Sequence, residues 1–172
     1  VSDGYGQYRV HRFSAGGQWI TSWGSKGSGP GQFELPHSVA IDTEGRVLIC
    51  DRENNRVQIF DQDGNYLAQW DDRRWPGVQW PNEIFVQADG TLYLSEAGYR
   101  ISVWKRYANP EPSPIHSPRG DYELLTRFSD YGDAPGQFIS CPHAICVDSQ
   151  GSIYVAEVPT HANRIQKFER VG

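Results

Sequence analysis

Two histidines stand at equivalent places in a repeated phrase, Pro36-His37-Ser38-Val39-Ala40-Ile41-Asp42 and Pro142-His143-Ala144-Ile145-Cys146-Val147-Asp148. A third copy, Pro81-Asn82-Glu83-Ile84-Phe85-Val86-Gln87, lies between them and carries Asn82 in the histidine's place. Histidines on alternate units of a ring converge on its axis, and three protein ligands with an open position are the pattern of a catalytic zinc. The same residues also suit a plainer role, in which Pro-His starts an inner strand and the imidazole bonds to backbone. Tyr5 and Arg52 depart from the repeat at their positions. A guanidinium over the axis can clamp a carboxylate with two hydrogen bonds. A tyrosine serves as a general base if a cation or metal lowers its ordinary pKa of about 10. The alternatives are an exposed loop charge for Arg52 and loop packing for Tyr5. Cys141 falls where the first copy has Leu35, which points to packing, and Cys50 reads as core. His161 reads as an exposed loop residue, and His11 has no partner in the pattern.

The elements that must position these residues follow from a second repeat. Tyr8-Arg9-Val10-His11-Arg12-Phe13, Asn55-Arg56-Val57-Gln58-Ile59-Phe60, Tyr99-Arg100-Ile101-Ser102-Val103-Trp104 and Asn163-Arg164-Ile165-Gln166-Lys167-Phe168 share one form, with arginines 47, 44 and 64 residues apart. Each unit reads as four short strands, a to d. Strand a follows the Pro, and a turn at Glu44-Gly45, Asp89-Gly90 or Gln150-Gly151 leads to b. Such X-Gly pairs between β-rich runs signal hairpins. Strand c is the Arg phrase, and d follows a second turn such as Asp63-Gly64-Asn65. No 3.6-residue apolar period is evident. Four-stranded units at this spacing predict an all-β chain folded as a β-propeller, here a partial ring of about three blades. The expected division is a half blade of c and d over 1–24, a blade over 36–70, a blade over 81–128 and strands a, b and c over 142–168. Antiparallel strands then place the start of a and the b–c loop on one face of the ring, so His37, His143, Tyr5 and Arg52 share that face. The four repeated arginines, by contrast, read as structural. Asp42 and Asp148 end strand a and predict Asx turns, while Asp3 and Asp51 organise the b–c loops.

Composition narrows the partners. Asp and Glu (21) outnumber Lys and Arg (16), for a net charge of −5, which argues against nucleic acid. Aromatic residues make up 13 %, more than a disordered chain carries. No apolar run approaches the roughly 20 residues of a membrane-spanning helix. Three cysteines are an odd number without a dense framework, so the redox compartment stays open. The chain of 172 residues has no Met, and Val1 opens inside a repeat, so it reads as an excerpt or processed piece. An open ring exposes blade faces, which predicts self-association that closes the propeller.

The Arg and Pro phrases resemble the NHL repeat of six-bladed propellers. More narrowly, Ser2-Asp3-Gly4-Tyr5, Pro30-Gly31-Gln32-Phe33 before Pro36-His37-Ser38, and Asp51-Arg52-Glu53-Asn54 resemble peptidyl-α-hydroxyglycine α-amidating lyase. The resemblance is strong from Val1 to about Phe60, moderate from Pro135 to Phe168, and weak between. It implies a zinc on His37, His143 and a third, upstream histidine, with Tyr5 and Arg52 catalytic and Arg52 also holding the substrate. It implies a peptide substrate and an extracellular or periplasmic setting. Ala144 replaces an Asp that helps hold a structural calcium in that family, so calcium does not carry over; Gly6 replaces a disulfide cysteine. Trp75 and Trp80, in a d–a connection on the same face, either wall a peptide cleft or plug a gap between blades. The Pro-rich stretch 109–120 reads as an extended insertion on the opposite face. The runner-up function is a non-catalytic NHL scaffold that binds a peptide or protein there.

Overall fold

The structure, a computed structural model, describes residues 1–71, 77–106, 122–158 and 162–170. These fold into four antiparallel sheets in chain order. The first holds β1 (Ser2–Asp3), β2 (Arg9–Phe13) and β3 (Trp19–Trp23). The second holds β4 (Pro36–Ile41), β5 (Val47–Asp51), β6 (Arg56–Phe60) and β7 (Tyr66–Asp71). The third holds β8 (Pro81–Val86), β9 (Thr91–Glu96), β10 (Arg100–Arg106) and β11 (Tyr122–Phe128). The fourth holds β12 (Pro142–Val147), β13 (Ile153–Glu157) and β14 (Ile165–Phe168). Each sheet is a blade, and the chain is the all-β propeller segment that the repeats predict. Among the described residues no α-helix forms, and no helix is long and apolar enough to cross a membrane.

The sequence count assigns two strands to the first blade, and the structure adds β1. Ser2 and Asp3 pair with Val10 and Arg9. Two residues are too few for any alternation to show in sequence. The stretch 109–120 and Trp75 lie outside the described residues, as does His161.

Burial explains why β5 and β6 read as nearly continuous apolar runs. Val47 and Ile49 face the first blade, in a cluster with Val10, Phe33 and Phe60. Leu48 and Cys50 face the third, in a cluster with Trp70, Ile84, Leu94 and Trp104. A middle blade is covered on both sides, so both faces of its strands are apolar. Ile101, Phe138, Ile145 and Val155 fill the next interface. The outermost faces lack this cover among the described residues: Trp19 is 63 % exposed and Ile165 72 %.

Three of the four repeated arginines, Arg56, Arg100 and Arg164, clasp loops, whereas Arg9 is exposed on the first blade. Arg56, 2 % exposed, donates from Nε to Asp51 Oδ2 at 2.9 Å and from its Nη atoms to the carbonyls of Ser28, Gly29 and Gln32. Asp51 Oδ1 in turn accepts the backbone N–H groups of Glu34 and Leu35. Arg164 repeats the pattern, bonding Glu157 and the carbonyls of Asp133 and Gln137, while Glu157 accepts from Ile139 and Ser140. Arg100 pairs with the buried Glu96, which accepts from Gln79 N–H. Each clasp pins the loop entering strand a to the end of strand b. Asp42 and Asp148 make the expected Asx turns, accepting from Glu44 and Arg46, and from Gln150 and Ser152.

Candidate functional site

His37, Asn82 and His143 are each the second residue of the first strand in their blade. In every case the register shifts across that residue: Pro36 opposes Asp51 and Ser38 opposes Cys50, with equivalent shifts at Pro81/Glu83 and Pro142/Ala144. The second residue is thus the extra member of a β-bulge, which releases it from the ladder and re-aims its side chain. Pro at the strand start favours this, because it has no N–H to give the ladder.

The two imidazoles meet. Their centroids are 4.9 Å apart at an interplanar angle of 72°. His37 Nδ1 donates to the Asn82 carbonyl at 2.9 Å. A carbonyl only accepts, so the proton sits on Nδ1 and Nε2 keeps its lone pair. Burial lowers His37's pKa; Asn82's carbonyl and Glu53 oppose that shift, while Arg52 and His143 reinforce it. A neutral imidazole with its second nitrogen fixed by a backbone carbonyl is the usual dress of a metal ligand. Among the described residues no group of three or more His, Cys, Asp and Glu side chains could hold a metal. The donor chemistry therefore fits two positions of a zinc site and, among the described residues, supplies no third.

Tyr5 lies in the turn between β1 and β2, and Arg52 in a 3-10 turn, Arg52–Asn54, after β5. The Tyr5 ring is 6.1 Å from that of His37, edge to face. Arg52 Nη1 lies 3.5 Å from the Tyr5 hydroxyl and Arg52 Nη2 2.9 Å from Glu53. The Arg52 backbone N–H donates to Leu35, as Ala97 does to Trp80 and Val158 to Cys141. That shared bond shows the three positions are equivalent and that only one carries a cation. Tyr5 itself is 79 % exposed, so the face is open to solvent.

Trp80 immediately precedes β8. It has φ +44°, donates its N–H to Asn55 Oδ1, and lines a shallow pocket with Gln79, Arg100 and Arg127. Cys141, by contrast, adjoins the histidines: Asn82 Nδ2 lies 2.8 Å from its Sγ, and burial pushes its thiol up. His11 bonds Ser22 Oγ at 2.7 Å on the first blade, away from this group.

Sequence reasoning missed two serines. Ser2 Oγ donates to the His37 carbonyl at 3.3 Å and Ser95 Oγ to the His143 carbonyl at 3.2 Å. Both immediately precede the acid that ends strand b, a place held by Cys50 in the second blade. Serine thus precedes each blade that carries histidine, and cysteine precedes the blade that carries asparagine. The alternation is visible in sequence, but its meaning requires knowing that strand b touches the next blade.

The NHL repeat model matches residues 33–60 and 140–168. Human NHL repeat-containing protein 3 is 30 % identical over 98 % of this chain and 45 % of its own length. Peptidyl-glycine alpha-amidating monooxygenase of Mus musculus is 46 % identical over 98 % of this chain and 16 % of its own. The chain therefore spans less than half the length of these curated relatives. Virginiamycin B lyase from Staphylococcus aureus shares the fold at TM-score 0.58 and 16 % identity, covering 95 % of this chain and 49 % of that one. With strand order, repeat phrases and relatives in agreement, the chain carries NHL repeats in a propeller fold and is homologous to NHL-repeat proteins and to peptidylglycine alpha-amidating monooxygenase.

Proposed function

We infer that the protein acts as a lyase that splits a peptidyl-α-hydroxyglycine into a peptide amide and glyoxylate. One observation supports this reading: Tyr5, His37, His143 and Arg52, drawn from three blades, stand side by side at 6.1, 4.9 and 3.5 Å. His37 and His143 would hold a zinc. Bound there, the metal would supply Lewis-acid polarisation of the substrate oxygens. Arg52 would pair with the terminal carboxylate, a charge-assisted contact that fixes the reacting carbon. Tyr5 would take the proton of the α-hydroxyl. As that oxygen becomes a carbonyl, the carbon–nitrogen bond breaks and its electron pair goes to the amide nitrogen, which is reprotonated. Atoms and charge balance without water or an oxidant.

A non-catalytic scaffold is the second reading, and the NHL repeats matched at 33–60 and 140–168 support it equally. Elemental analysis and glyoxylate release by the intact protein separate the two. The lyase reading expects stoichiometric zinc and turnover, both lost in His143→Ala with the β spectrum unchanged. Tyr5→Phe should keep zinc and lower kcat by about 10²–10⁴-fold, the usual range for a general base. A protein without metal and without glyoxylate release is the scaffold.

A further inference from the structure

We propose that Asn82 is a positioning residue that holds both histidines of the site from the blade between them, an assignment that rests on the lyase reading. Asn82 is fully buried. Its main-chain carbonyl takes the His37 Nδ1 proton at 2.9 Å, which sets the tautomer and tilt of that ring. Its side-chain Nδ2 donates to the Pro142 carbonyl at 2.9 Å, one residue before His143. That bond also fixes the amide's orientation, since an oxygen turned toward a carbonyl oxygen at this distance would repel it. One residue therefore ties the ring of the first histidine to the backbone of the second across two blade boundaries. Ser95 completes the hold on His143 through its carbonyl.

A structural asparagine would need only to fill its place in the blade. This one directs its bonds outward, to His37 of the second blade and to Cys141 and Pro142 at the start of the fourth. Its Oδ1, buried and without a hydrogen-bond partner among the described residues, makes no bond within its own blade. Asn82 replaces histidine in the repeat yet keeps the bulge, so the bulge brings its carboxamide to the same axial region.

The test uses the intact protein, metal-free and labelled with ¹⁵N-histidine, with Asn82→Leu as variant and Cys50→Ser as a buried control in the neighbouring strand. Imidazole ¹⁵N–¹H spectra of the wild type should show one ring, absent in His37→Gln, fixed as the Nδ1–H tautomer. Asn82→Leu keeps the main-chain carbonyl and adds no metal donor, but it removes the Nδ2 bond to Pro142 that anchors that carbonyl between the blades. The fixed state of the His37 ring should be lost, and cobalt(II) affinity should fall about 10-fold or more, as for other outer partners of metal-bound histidine. Cys50→Ser should change neither. Should Asn82→Leu fail to fold, Asn82→Ser carries the test, because its hydroxyl is too short to reach Pro142. An unchanged tautomer and cobalt affinity within about twofold in folded Asn82→Leu or Asn82→Ser overturn the proposal and leave the metal reading intact. If the wild type binds no cobalt, the metal reading falls, and the tautomer alone decides: its loss in the variant supports positioning by Asn82, its persistence overturns it.

Discussion

His37 carries a pH signature that its surroundings dictate. Burial, joined by the charges of Arg52 and His143, holds its pKa below the usual histidine range despite Asn82's carbonyl and Glu53. In the unfolded chain the same imidazole takes its proton near the ordinary value of about 6.5. Below that pH the unfolded state binds more protons than the folded one, so stability falls until the folded-state pKa is passed. Above it both states are neutral and this group contributes no slope. Thermal melts of metal-free protein between about pH 7 and 5 should therefore show a falling Tm. His37→Gln should flatten that slope, and parallel curves for variant and wild type would mean that burial does not depress this histidine. Arg52 shows how much was legible at this scale. Its departure from the repeat marked it in sequence, because a guanidinium stands where other blades have Ala97 or Val158. The hold on the histidines was not legible, because Asn82 bonds a carbonyl 60 residues away.

At the level of elements, the clasp from repeat arginine to acid sets how each loop meets its strand. The Arg56–Asp51 pair is almost fully withdrawn from solvent, with side chains 2 % and 0 % exposed. Removing one partner leaves the other charge buried and strands the carbonyls and N–H groups it satisfied. Arg56→Ala should then cost about 3–5 kcal/mol in denaturant unfolding. Arg164→Ala should cost less, since its side chain is 29 % exposed at the edge of the fourth blade and solvent screens its pair. Equal losses at the two sites would show that burial is not what sets the strength of the clasp. The repeat phrase made these arginines structural on sequence grounds, and the X-Gly turns placed the hairpins. The bulges at His37, Asn82 and His143 escaped notice for a physical reason. A bulge is a mismatch between two strands, and neither strand alone encodes it.

For the molecule as a whole, blades bury their faces only against neighbours. The middle blades do so along their inner strands, with Leu48, Ile49, Val57 and Leu94 all at 0 % exposure. The faces at the two ends of this chain do not. The first blade shows Phe13, Trp19 and Ile20 at 44, 63 and 46 % exposure, and the fourth shows Ile165 at 72 % above a groove lined by Ala144, Cys146, Tyr154 and Ala156. β14 also presents an unpaired edge among the described residues. Apolar faces of this kind, rimmed by polar groups, drive association, and open edges template it. When the 172-residue chain is produced by itself, sedimentation velocity should show species larger than a monomer that grow with concentration. The paired substitutions Trp19→Lys and Ile165→Lys should shift the boundary toward monomer, because a lysine on either face must be desolvated to pack. The same substitutions should leave the β spectrum unchanged, since both side chains already face solvent. A monomer at every concentration, with a cooperative melt, would show that these blade faces are stable in water and that the ring needs no partner surface to hold the site.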